Sequence, residues 1–184
     1  NGGNNYIVTT VPVATGSIVA KAVTPGLTGT VEKVYDGTTT ATLTAGNYTL
    51  TGFITGDTVA VSGSAVYDTK HAETGKTVSA TGLTLSGADA GNYTLGASTS
   101  AVADIGVITA KTLAVTPDSG QTAVYTGKVP APTLTYTSDG LAAGDSFTGA
   151  LALTGATRNV GNYGIVQNTL AVSDGNGGAN YTLT

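Results

Sequence analysis

"TGLTLSGADAGNYTL" (residues 81–95) is the stretch whose reading decides the fold. Leu83 and Leu85 stand two apart with Thr84 between them, which places both leucines on one face of an extended strand. Gly91 and Asn92 tolerate a left-handed backbone and so can close a turn. Tyr93 and Leu95 then resume the alternation, with Thr94 on the opposite face. Strand, reversal, strand is the grammar of a β protein. It recurs at Val59/Val61, Leu113/Val115, Leu134/Tyr136 and Leu151/Leu153. One segment speaks differently: "DGLAAGDSF" (139–147), with Ser138 as N-cap, reads as a short helical turn.

Composition agrees with strands. Only 10% of the 184 residues are charged, against about 25% in an average globular protein. Glycine (27 residues) and threonine take their place, one suited to turns and the other to pleated surfaces. A hydrophobic fraction of 40% argues against a disordered linker, and no apolar run reaches the roughly 18 residues of a membrane span. The net charge of −4 offers no basic face for nucleic acid or anionic lipid. The absence of cysteine excludes disulfides and thiolate metal sites, and it is compatible with a bacterial secreted protein. The opening "NGGNNYIVTT" reads as the middle of a longer chain.

Internal repetition is the strongest signal. "NNYIVTTVPVATGSIVAK" (4–21) parallels "GNYTLGASTSAVADIGVITAK" (91–111), and "ANYTLT" (179–184) begins a third copy. Five of the nine tyrosines follow an asparagine: Tyr6, Tyr48, Tyr93, Tyr163 and Tyr181. Lys21 and Lys111 occupy equivalent places, giving units of about 90 residues. Each unit shows a Val-Tyr turn (34–35, 124–125), a Gly-Asp-hydroxyl step (56–58, 144–146) and a Gly-Asn-Tyr near its close (91–93, 161–163). The expected division is 1–20 as the tail strand of a preceding repeat, 21–110 as the first domain, and 111–184 as a second that lacks its last strand. "ITAKTLAVTPD" (108–118) joins them without a flexible linker, as in a stiff head-to-tail array.

The repeated phrases carry structural expectations. In "VEKVYDGTT" (31–39), Val34 and Tyr35 finish a strand that Asp36-Gly37 turns. A tyrosine at such a corner covers the end of a core while its hydroxyl bonds to nearby backbone. The turn and corner residues singled out are therefore Tyr35, Asp36, Gly37, Gly91, Asn92, Tyr93, Asn162 and Tyr163.

Chemical readings compete with this one and lose. His71, with Asp68 and Glu73 nearby, lacks a positioned serine and sits in a polar stretch between strands, so a solvated hairpin loop is expected. "SDGNGGAN" (173–180) offers Asp174, Asn176 and Asn180 as oxygen ligands for calcium but lacks the EF-hand spacing; a glycine-rich turn is simpler. An intramolecular isopeptide bond has the right residue types in Lys33, Lys111, Asn92, Asp57 and Glu32, yet nothing in the spacing selects a triplet. A hydroxyl-rich surface could bind glycans, although the chain has no tryptophan and few aromatics. No enzyme, no metal and no cofactor are expected.

"KVYDGTTTATL" (33–43), "GDTVAVSGSAVYDT" (56–69) and "GKTVSATGLTLSGADAGNYTL" (75–95) resemble the YDG domain, and residues 130–184 look like the MBG domain that commonly follows it. The match departs at Thr126, where an acidic residue is expected after Tyr125. The resemblance implies tandem modules of filamentous-haemagglutinin-like adhesins exported by two-partner secretion. A Gram-negative cell-surface location follows from it, with roles in adhesion or biofilm. Neighbouring repeats are then the expected partners, with host or biofilm glycans or surface proteins as the adhesive alternative. The fold expected from strand density and corner tyrosines is all-β, as tandem Ig-like β-sandwich modules; the alternative is a small α+β β-grasp-like domain with 139–144 as its helix.

Overall fold

The computed structural model describes residues 13–184. Residues 1–12, with Tyr6 and most of the expected tail strand, lie outside the described residues. Among those described the fold is all-β, and its helical elements are single 3₁₀ turns at Ala45–Asn47 and Ala90–Asn92.

Strands β1 (Lys21–Ala22), β2 (Thr24–Leu27), β3 (Val31–Val34), β4 (Thr40–Ala41), β5 (Tyr48–Thr51), β6 (Ala60–Tyr67), β7 (Glu73–Ser86), β8 (Tyr93–Thr94) and β9 (Ser100–Thr109) form the first module. Its centre is a five-stranded sheet in the order β3-β9-β7-β6-β4. The β2–β5 ribbon lays Leu27, Tyr48 and Leu50 against the buried side of that sheet. Along β7 the inward face carries Lys76, Val78 and Ala80, then changes phase to Leu83. A register shift between Ser62 and Ser64 on β6 absorbs the odd residue, as a bulge does.

The second module has β10 (Lys111–Leu113), β11 (Val115–Pro117), β12 (Tyr136–Ser138), β13 (Ser146–Thr148), β14 (Ala152–Thr154), β15 (Gly164–Val166), β16 (Ala171–Ser173) and β17 (Tyr181–Leu183). These pair as four two-stranded ribbons. No described strand pair crosses from one module to the other, yet one apolar cluster does. Val31, Tyr35, Val78 and Ile108 of the first module share it with Leu113, Val172 and Tyr181 of the second.

Each module begins by pairing its first strand with its Asn-Tyr strand in parallel: Lys21 opposite Tyr93, and Lys111 opposite Tyr181. Residue alternation cannot reveal strand direction, and so these parallel pairs were not legible beforehand.

The helical turn expected over 139–147 is not formed. Gly140 and Gly144 both adopt φ +91°, which leaves only three residues between two helix-incompatible positions. The chain there makes a tight turn instead, closed by Asp145 N–H donating to Ala142 O at 3.2 Å. The β-grasp-like alternative loses its helix.

Candidate functional site

A densely bonded polar site lies where the modules meet. After β3, Tyr35 N–H donates to Thr109 O at 2.9 Å, which fixes Tyr35 beside the point where the chain leaves the first module. Asp36 and Gly37 then turn the chain: Asp36 Oδ1 accepts Thr38 N–H at 2.8 Å, and Gly37 sits at φ +80°. A Cβ on Gly37 would lie 3.1 Å from the Ala142 side chain, so this corner rests directly on the second module.

From the other side comes Asp145, in the Gly-Asp-Ser step, its side chain only 1% exposed. Its Oδ2 accepts the hydroxyls of Tyr35 at 2.9 Å and Tyr181 at 2.7 Å. Its Oδ1 meets Lys70 Nζ at 3.4 Å. The two phenol rings pack edge to face with centroids 5.3 Å apart. A carboxylate this buried needs partners, and it has two phenols and an ammonium. Tyr181 hydroxyl also accepts Ala142 N–H at 2.7 Å. Burial, and then the neighbouring Asp145 carboxylate, push the Tyr181 phenol up to about 12. The same causes raise Tyr35.

A second set of contacts flanks the first. Asn180 is fully buried; its Oδ1 accepts Ala72 N–H from the first module at 2.7 Å, and its Nδ2 lies 3.4 Å from His71 Nδ1. Asn180 is held by Asp174, whose carboxylate accepts the N–H groups of Asn176, Gly178 and Asn180 at 2.7, 2.8 and 2.9 Å. Burial opposes ionisation of Asp174, but these backbone donors outweigh it and hold the carboxyl below its usual range. Both Asp174 oxygens are thus taken by the turn they shape. His71, expected as a solvated loop residue, is half-buried against the second module.

The first module contains the same latch in another setting. Tyr93 hydroxyl donates to Asp57 and accepts Ile54 N–H at 3.0 Å, matching Tyr181 with Asp145 and Ala142. The sequence separations are identical: 36 residues from aspartate to tyrosine, and 39 from the backbone donor. The counterpart of Gly91-Asn92-Tyr93 is therefore Ala179-Asn180-Tyr181, and the earlier match to residues 161–163 fails. Tyr163 is half-buried in a loop and donates to Asn159 O at 2.8 Å, with Asn162 exposed beside it. Gly91 and Asn92 lie in a turn, a 3₁₀ one that needs none of the positive φ they tolerate.

The isopeptide candidates are not brought together. Lys33 Nζ bonds Asp36 and Thr38, whereas Lys111 Nζ bonds Gly140 O at 2.8 Å. Sequence reading singled out Asn180, Tyr181 and the step containing Asp145 for other reasons, placed none of them at a joint, and passed over Lys70. The repeated 36-residue interval could have found the aspartate–tyrosine pairs; nothing local marks Lys70.

Glycine-turned strands and a duplicated tyrosine–aspartate latch define a chain of tandem β modules. Residues 19–101 match the YDG domain and residues 113–184 the MBG domain (YGX type), so the chain carries a YDG domain followed by an MBG domain. Neither the curated proteins nor the solved structures offer a match.

Proposed function

We propose that this pair of modules is a non-catalytic spacer segment of a large adhesin on a Gram-negative cell surface, holding an adhesive part away from the cell. The observation that carries the reading is the joint, where a nearly inaccessible Asp145 binds Tyr35 and Lys70 from one module and Tyr181 from the other. An interface that places a carboxylate under two phenols and an ammonium fixes orientation, because any rotation leaves a buried charge unpaired. A spacer needs that property, and a linked pair of independent binding domains does not. The polar groups a catalyst would use, His71 and the two latch aspartates, are engaged in holding the fold.

Small-angle scattering on the intact chain tests this. A single rigid arrangement is expected, and it should broaden into an ensemble when Asp145 is changed to Ala. A wild-type chain already scattering as a flexible pair would end the spacer reading.

A second reading has one observation behind it. A cleft in the MBG module is lined by Tyr125, Tyr163, Arg158, Lys128 and Gln121, a mixture of aromatic faces and hydrogen-bonding groups that suits a sugar. A glycan array, with Tyr125→Ala as control, separates a stalk from a lectin-like module.

A further inference from the structure

The entry end of the YDG module repeats the chemistry of the joint without a facing module among the described residues. In the MBG module, Asp145 accepts Tyr181 and also Tyr35 and Lys70 from the module before it. In the YDG module, Asp57 accepts Tyr93, and among the described residues no lysine or second phenol joins it. Asn180 is fully buried under Ala72 of the first module, whereas its counterpart Asn92 is exposed. Ala142 rests against Gly37, whereas its counterpart Ile54 is 56% exposed, with Phe53 exposed beside it. Aspartate, amide and apolar contact are all built, in the same order and spacing; Asp57 is half-buried, Asn92 and Ile54 are exposed, and among the described residues Ile18 to Lys21 border them.

The neighbouring chain says what would cover them. Gly16-Ser-Ile-Val-Ala-Lys21 parallels Gly106-Val-Ile-Thr-Ala-Lys111. In the second stretch Ile108 is a core residue, 2% exposed, on β9, which pairs with β3 and β7 inside the five-stranded sheet. In the first stretch Ile18 is fully exposed and unpaired to any described strand. The segment entering the YDG module thus carries the apolar pattern of the closing strand of another such module.

We propose that the face formed by Ile54, Asp57, Asn92 and Tyr93 is a socket for the exit tip of a further YDG-type module, whose corner tyrosine and loop lysine reach Asp57 and whose loop N–H reaches the Asn92 amide. Residues 16–20 are the closing strand of that module. The joint between YDG and MBG is then one instance of a general coupling in which Tyr-plus-Lys tips enter Asp-plus-Tyr-plus-Asn sockets. This rests on the stacked-spacer reading above and extends it to a defined, propagating contact.

The test duplicates residues 21–110 in frame between Ala20 and Lys21 of the full chain, so that the added copy presents its tip to the original socket. Amide hydrogen exchange is followed at Ile54, Asp57 and Tyr93 of the original module. We expect protection there to rise at least tenfold over the unduplicated chain, and to fall back when the added copy carries Tyr35→Phe with Lys70→Ala. Those substitutions leave the socket module untouched, so its folding is not at issue. Unchanged protection on duplication overturns the proposal, and so does a rise that survives the substitutions, which would reflect linkage alone. The original joint is the internal reference. If Ala72 and Ala142 amides remain protected while the new socket does not, the socket proposal fails alone; if they exchange freely as well, the rigid spacer reading fails.

Discussion

Removing the Tyr35 hydroxyl isolates the bond on which the joint depends. Tyr35→Phe keeps the ring, its edge-to-face contact with Tyr181 and its place in the apolar cluster, and deletes only the donor at 2.9 Å from Asp145. A hydrogen bond to a buried charged acceptor contributes about 1.5–3 kcal/mol. Tyr35 is 2% exposed, so water cannot replace it without opening the interface. For a chain of this size that loss lowers Tm by roughly 3–12 °C. The assay is urea unfolding followed by tyrosine absorbance, since there is no tryptophan among the nine-tyrosine complement. A double-mutant cycle with Asp145→Ala completes it. In the Asp145→Ala background, Tyr35→Phe should cost less than about 0.5 kcal/mol, giving a coupling of at least about 1 kcal/mol. Additive behaviour within about 0.5 kcal/mol would refute the reasoning, because it would mean the two side chains do not act through each other.

Two titrations follow from the same geometry. Tyr181 has its phenol raised from 10.0 to about 12, so the protonated form is the one the fold favours; its contribution is complete below pH about 10 and is lost as pH rises towards 12. Thermal melts across that window should show a steep loss that Tyr181→Phe flattens. Asp174 has its carboxyl held below 3.8, so its contribution is present above that value and disappears as pH falls through the lower folded one. Asp174→Ala should cost about 2–4 kcal/mol at neutral pH by releasing three backbone donors, and added calcium should not shift the wild-type midpoint.

Strand class was legible because Leu83, Leu85, Tyr93 and Leu95 announce themselves by alternation, and because glycine at Asp36-Gly37 leaves few alternatives to a turn. Direction and order were not, since the parallel pairing of Lys21 with Tyr93 depends on long-range contacts that no local pattern encodes. Residues 139–147 misled for a definable reason: Leu141 to Ala143 have helix propensity, but the flanking glycines take positive φ. The tyrosines were half-read. A hydroxyl bonded to nearby backbone was expected of them, whereas Tyr93 reaches Asp57, 36 residues away, and Tyr35 a carboxylate 110 residues away. Asn47 illustrates the local part well. Its Oδ1 accepts Thr44 N–H at 2.9 Å and its amide reaches Thr28 O and Thr30 O, so the Asn of an Asn-Tyr pair clamps a 3₁₀ turn to the connection between β2 and β3.

The choice of groups at the joint explains why the motif is tyrosine with aspartate rather than a pair of leucines. An all-apolar contact of similar area would be at least as stable, since replacing buried polar sets by packed hydrophobics is often neutral or favourable. It would, however, accept many rotations and many partners, and a chain made of similar modules would expose the same sticky ends to every copy. A buried carboxylate with two phenol donors, an ammonium at 3.4 Å and an amide clamp at Asn180 tolerates one alignment, because each misalignment leaves Asp145 or Asn180 unsatisfied. Stability is supplied by Leu113, Val172 and Tyr181 extending the first module's core, while the polar latch decides which face meets which. On the proposal that a further module docks there, the same latch on the YDG module, with Asp57 and Tyr93 already in place, is a specific address that discriminates against any neighbour unable to present a phenol and a cation together.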